Sequence, residues 1–101
     1  MKGGFVDRIE ILKEAINLTA NDRLETHGTP YLNHRRIADL WTAYLETPIT
    51  PEQVAICQAL VKVARSQQSS IEDHYIDGAA YFAIAGELAN ISKRQGEEWK
   101  P

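Results

Sequence analysis

Three threonine–proline steps, Thr29-Pro30, Thr47-Pro48 and Thr50-Pro51, constrain this chain more than any other feature. Proline lacks an amide hydrogen and has a fixed φ, so it suits the first position of a helix and pushes the residue before it away from helical geometry. Threonine in that preceding place is a good N-cap, because its hydroxyl takes an amide hydrogen that the first turn leaves without a partner. Each step therefore closes one helix or opens the next. Thr50-Pro51 is the sharpest signal: Gln53 stands where it closes a capping box, and Ile49 and Val54 stand where they can staple the entry to the helix.

Between these marks apolar residues recur at three- and four-residue spacing, the period of a helix with one buried stripe. A first helix is predicted from about Asp7, its N-cap, to about Thr26, with Phe5, Ile9, Leu12, Ile16, Ala20 and Leu24 facing inward and Gly28 supplying the left-handed exit. A second runs from about Pro30 to Glu46 and buries Ile37, Leu40, Trp41, Tyr44 and Leu45. The third, opened by Pro51, is apolar nearly all round from Val54 to Ala64, which predicts the central and most buried helix, with Cys57 as a buried thiol. Its one polar line is Gln58, Lys62 and Arg65, which must meet water or polar partners. After the SQQSS loop, Ser70 and Asp73 repeat the cap-and-acid pattern of a helix start. The fourth helix runs to about Lys93 with Ile76, Ala80, Ala83, Ile84, Leu88 and Ile91 on its core side. The predicted fold is all-α: a four-helix bundle with short loops over residues 5–94, followed by a flexible polar tail, 95–101, that carries Trp99.

A chain of 101 residues has room for one modest core. Its net charge of -3 argues against an extended nucleic-acid surface, which needs a clustered positive excess. No apolar run approaches the ~18 residues of a membrane span, and the N-terminal stretch carries charges where a secretory signal has an apolar segment, so the cytoplasm is the expected compartment. Cys57 is the single cysteine, which excludes an internal disulfide. Gly78 and Gly86 within a helix each cost about 1 kcal/mol relative to alanine, so a partner helix approaching closely is expected to offset them. Together with the modest core, that small-residue face predicts a homodimer or higher oligomer.

Every helix or its edge contributes polar groups that packing could gather: Arg23 and His27, Asn33 and Arg36, Lys62 and Arg65, Asp73 and Asp77. Asp73 and Asp77 are four apart and Asn33 and Arg36 three apart, so each pair shares a helix face. Cations with an asparagine suit phosphate oxygens and a base edge, and paired aspartates suit Mg²⁺ or ribose hydroxyls. The same residues equally suit structural ion pairs that neutralise one another across helices. The short connection after Lys62 and Arg65 predicts an ion pair to one of the aspartates. His34 and His74 read as surface residues, and no metal-site spacing, phosphate loop or nucleophile elbow is present.

Taken together, Arg23, His27-Gly28-Thr29-Pro30, Asn33, Arg36-Ile37-Ala38, Trp41, Tyr44-Leu45, the ITPEQVA start of the third helix, Lys62 with Ala64-Arg65, and Asp73 through Asp77 to Tyr81 form a pattern. In it the chain resembles a family of small helical proteins found widely in bacteriophages and prophages. Because the pattern is largely polar and spans all four helices, the resemblance implies a shared site at Arg23, His27, Asn33, Arg36, Lys62, Arg65, Asp73 and Asp77. More distantly, Asp73 and Asp77 on a helix continuing into AAYFAIAGELA look like the second acidic helix of the all-α nucleoside triphosphate pyrophosphohydrolases, which bind Mg²⁺; that group's first acidic motif, Glu-Glu-x-x-Glu, is missing, and Glu10 and Glu14 are a poor substitute for it. Two functions are therefore expected. One is binding of a nucleotide or other phosphorylated small molecule, for hydrolysis or sequestration, with Arg36, Lys62 and Arg65 on phosphates, Asn33 or His27 on base or sugar, and Asp73 with Asp77 on Mg²⁺ or hydroxyls. The other is a phage accessory or anti-defence factor that engages a host protein.

Overall fold

A computed structural model describes residues 6–22 and 29–94. Four α-helices are present, and no strand occurs among the described residues: α1 Arg8–Asn17, α2 Pro30–Leu45, α3 Pro51–Gln68 and α4 Glu72–Arg94. The chain is thus an all-α helical bundle. Asp7 caps α1 by accepting from the Glu10 amide, Thr29 caps α2 by accepting from Leu32, and at α3 the reciprocal box is complete, with Gln53 N–H on the Thr50 hydroxyl and Thr50 N–H on Gln53 Oε1. The predicted first helix departs from α geometry at Leu18, where a π-helical turn, Leu18–Asp22, takes over. Its predicted end at Thr26, along with Phe5, Leu24 and Gly28, lies outside the described residues, as does the tail. α2 stops at Leu45 because Glu46 turns left-handed, at φ 53°, and the Thr42 hydroxyl then accepts from the Ile49 amide to close the turn into α3. The fourth helix starts at Glu72, so Ser70 stands two residues ahead of it; Ser69 is the residue that meets the helix, through a 3.1 Å hydroxyl contact with His74 Nε2.

α3 and α4 are the principal pair and run antiparallel; α1 packs on α4, and α2 packs on α3 and reaches α4. One core cluster joins Ala55 to Ile84, Ala85 and Leu88, with Tyr31, Ile56, Tyr81 and Ile91 around it. A second joins Ala15 of α1 to Ile76 and Ala80, with Ile11, Leu18 and Ala79 around it. α4 takes part in both clusters, so it, rather than α3, is the central helix. Its small side chains let both neighbours come close. A Cβ built on Gly78 would sit 3.6 Å from Lys62 Cβ, an ordinary contact, whereas one built on Gly86 would meet nothing within 4 Å. Close helix packing thus accompanies Gly78 and leaves Gly86 unaccounted for.

Which stripe faces inward differs from expectation in three helices. On α1 the predicted Ile9, Leu12 and Ile16 are exposed and the line through Ile11, Ala15 and Leu18 docks instead, because Ala15 permits the close approach to Ala80 that larger side chains would block. On α2 the buried residues are His34 and Ala38, with Ile37 and Trp41 half-buried and Leu40, Tyr44 and Leu45 exposed. On α3 the interior takes Val54, Ala55 and Ala59, while Cys57, Leu60, Val61 and Val63 remain at the surface. α4 follows its prediction at Ile76, Ala80, Ile84 and Leu88; Ala83 is exposed.

Candidate functional site

Two residues of the polar line of α3, Gln58 and Lys62, find partners inside the protein, and the third, Arg65, is exposed. Gln58 and Lys62 are one turn apart on α3, and Asp77 and Tyr81 are one turn apart on α4, so the two helices present matched polar ladders along their contact. At one rung Lys62 Nζ lies 3.2 Å from Asp77 Oδ2, with the two side chains 16% and 26% exposed. This is the ion pair expected from the short α3–α4 connection. At the other rung α2 supplies His34, 3% exposed. Its Nδ1–H donates to the Pro30 carbonyl at 2.8 Å, and Nε2 lies 2.9 Å from the Gln58 carboxamide, whose two ends allow it to accept or to donate. The ring also meets Tyr81 edge to face at 6.4 Å between centroids. Burial of an imidazole is tolerated here because both nitrogens are satisfied.

Of the residues singled out from sequence, Lys62 and Asp77 are brought together, Asn33 is half-buried on α2, and Arg36, Arg65 and Asp73 are exposed. Arg23 and His27 lie outside the described residues. His34 is the correction: it reads as a surface residue, yet it is buried, and its partner Gln58 is 24 positions away, beyond any local pattern. Its place three residues before Ile37 and four before Ala38, on the inner side of α2, was the available signal.

A separate hollow of about 710 Å³ opens between the π-helical turn that follows α1, the start of α2 and the C-terminal half of α4. Ala83, Ile84 and Ile91 line it with apolar surface; Thr19, Thr29, Tyr31 and Glu87 add polar groups. Arg35 donates to the Tyr31 hydroxyl at 2.8 Å, which fixes a cation beside one wall. Sequence reasoning missed Tyr31, Arg35 and Glu87, since each reads as an ordinary helix residue until three elements meet around them. No helix among the described residues is long and apolar enough to cross a membrane.

Residues 10–89, which carry both polar rungs and most of the hollow, match the family described as Domain of unknown function (DUF6378). The chain belongs to this DUF6378 family. It is 33% identical over 93 residues to the Gene 55 protein of Mycobacterium phage L5, covering 90% of this chain and 58% of that protein. To the Gene 55 protein of Mycobacterium phage D29 it is 36% identical over 72 residues, 70% of this chain and 48% of that protein. The chain therefore spans about half the length of these phage relatives. A further similarity, 32% over 83 residues, is to a stretch making up 19% of one component of the Na(+)-translocating NADH-quinone reductase of Vibrio vulnificus. No solved structure is significantly similar. The DUF6378 chain is accordingly a phage-related helical domain, in keeping with its polar pattern.

Proposed function

We propose that the chain binds a nucleotide or another phosphorylated small molecule in the hollow between the π-helical turn, α2 and α4. The observation that carries this reading is the hollow itself. Its volume falls in the usual range for small-molecule sites, and it combines an apolar lining with a few polar groups, the pattern such sites share. Tyr31 and the Ile84–Ile91 surface would pack against a base, and Glu87 would accept from an exocyclic amine or a sugar hydroxyl. Thr19 and Ala20 on one wall and Thr29 on the other flank residues 23–28 in sequence, and that segment holds Arg23 and His27, the cation and imidazole of the polar pattern. Asn33, Arg36 and Arg65 do not line the hollow, and Arg65 stands on α3, which takes no part in it, so the phosphate contacts expected of them are not part of this reading. Lys62 would reach a phosphate only by leaving Asp77.

Mg²⁺ at Asp73 and Asp77 fits less well. The ion takes several oxygen ligands, Asp77 already faces Lys62, and no three metal-ligating side chains gather among the described residues. Binding without metal-assisted hydrolysis is therefore the version proposed. A panel of nucleotides tests it by thermal shift, because a ligand of the native state present at ~100 times its Kd adds about 2.7 kcal/mol. One nucleotide class should raise the melting temperature, and Arg23→Ala and Glu87→Ala should each remove the rise while leaving the helical circular dichroism intact. A flat panel at millimolar ligand would end this reading.

A second reading, an accessory or anti-defence factor acting on a host protein, draws support from Leu40 and Tyr44. They are one turn apart on the outer side of α2, 69% and 87% exposed. A host protein retained by the wild-type chain and lost with Tyr44→Asp would favour it.

A further inference from the structure

Successive residues on a helix turn by about 100°, so the residues that make known contacts fix where all others point. On α3, Gln58 meets α2 while Ala55 and Lys62 meet α4. Ile56, Leu60 and Val63 consequently lie on the flank next to α4 and away from α2. On α4, Asp77 and Tyr81 meet the side where α2 sits, and Ile76 and Ala80 meet α1. That leaves Tyr75, Phe82 and Gly86 on the flank facing away from α2. The two flanks adjoin, because α3 and α4 are antiparallel neighbours. They make one apolar surface on the side of the α3/α4 pair that α2 leaves open. Leu60, Val63, Tyr75 and Phe82 there are between 46% and 67% exposed.

We propose that this surface is a homodimer interface, in which the α3/α4 flank of one chain packs on the same flank of a second copy. Two features single out a second copy as the occupant. The first is self-complementary shape. Phe82 projects from α4, and Gly86, one turn or about 5.4 Å further on, opens a notch in which a Cβ would touch nothing. A two-fold axis between these positions seats Phe82 of each chain in the Gly86 notch of the other, which is the reciprocal contact an isologous interface demands. The second feature is charge. Leu60, Val63, Tyr75, Phe82 and Gly86 are uncharged, and the exposed Lys93, two turns beyond Gly86 on the same line, faces Tyr75 of the second copy across that axis, so doubling the surface on itself brings no like charges together. The exposed parts of the four large side chains amount to roughly 500 Å², most of the ~800 Å² per partner that a standard interface buries. The notch also accounts for Gly86, whose cost within a helix nothing inside the chain offsets.

Sedimentation equilibrium on the intact chain tests the proposal. The wild type should sediment at twice its 11.4 kDa mass. Phe82→Glu removes the knob, and Gly86→Leu fills the notch with a residue that favours helix more than glycine does. Both should weaken dimerisation about 100-fold or more while the circular dichroism spectrum stays helical. Tyr44→Glu, on α2, should leave the dimer intact. A wild-type chain that stays monomeric up to ~1 mM would overturn the proposal, whether residues 95–101 or a different protein then cover the surface. So would a dimer that survives both α4 substitutions.

Discussion

The two sides of the α3/α4 pair are built from the same two helices and end in opposite conditions. On the side under α2, polar groups are matched and lie buried or half-buried: His34, buried, with Gln58 and the Pro30 carbonyl, Lys62 with Asp77, and Tyr81 against the imidazole. On the other side apolar groups are exposed, with Leu60, Val63, Tyr75 and Phe82 at the surface. Hydrophobicity alone would have turned the helices the other way. What decides the orientation is size and partnership: α2 and α1 dock through Ala38 and Ala15, and the polar groups caught beneath α2 each find a partner. Among the described residues no buried side-chain nitrogen or oxygen lacks one. The covered side thus gives the domain its specific packing, and the open side is left for association.

That difference is sharpest when the two sides are challenged in turn. His34→Ala should give the largest effect, because it leaves a cavity in place of a buried ring and takes the partner from the half-buried Gln58 carboxamide; a loss of about 2–4 kcal/mol is expected in urea unfolding. A smaller effect should appear at the ion pair. Lys62 and Asp77 are mostly but not wholly buried, so a double-mutant cycle with Lys62→Met and Asp77→Asn should return a coupling of about 1 kcal/mol that shrinks as salt is raised. A coupling near zero would make that rung incidental to the packing of α3 on α4. Leu60→Gln on the open side should shift the monomer's stability least, by less than about 0.5 kcal/mol. Equal losses at His34 and Leu60 would erase the distinction.

Signals written within four residues of one another were legible in the sequence. The caps at Asp7, Thr29 and Thr50, the box with Gln53 and the four-helix order all follow from contacts between near neighbours. The Lys62–Asp77 pair was legible for a related reason, since a short connection forces one helix end beside the next helix start. The choice of inward face was not. α1 carries two apolar lines, Ile9–Leu12–Ile16 and Ile11–Ala15–Leu18, and periodicity cannot rank them when the smaller line wins by letting backbones approach. α3 is apolar nearly all round, so Cys57 and Leu60 read as core although they lie outside it. His34 was misplaced because its burial depends on Gln58, and the hollow was missed because its walls come from three elements. Arg23 and His27, the two members of the polar pattern outside the described residues, are reached by the nucleotide panel and the Arg23→Ala variant.

The most direct measurement of the central claim is relaxation of side-chain protons by a soluble paramagnetic agent, recorded at micromolar and at near-millimolar protein. At low concentration Leu60, Val63 and Phe82 should relax strongly, while Val54 and Leu88, fully buried, should respond weakly. At high concentration the first three should become protected, and Tyr44 on α2 should stay as accessible as before. Protection of Leu60 and Val63 at the lowest concentration that persists in Phe82→Glu, or exposure that never changes as the protein is concentrated, would contradict the account.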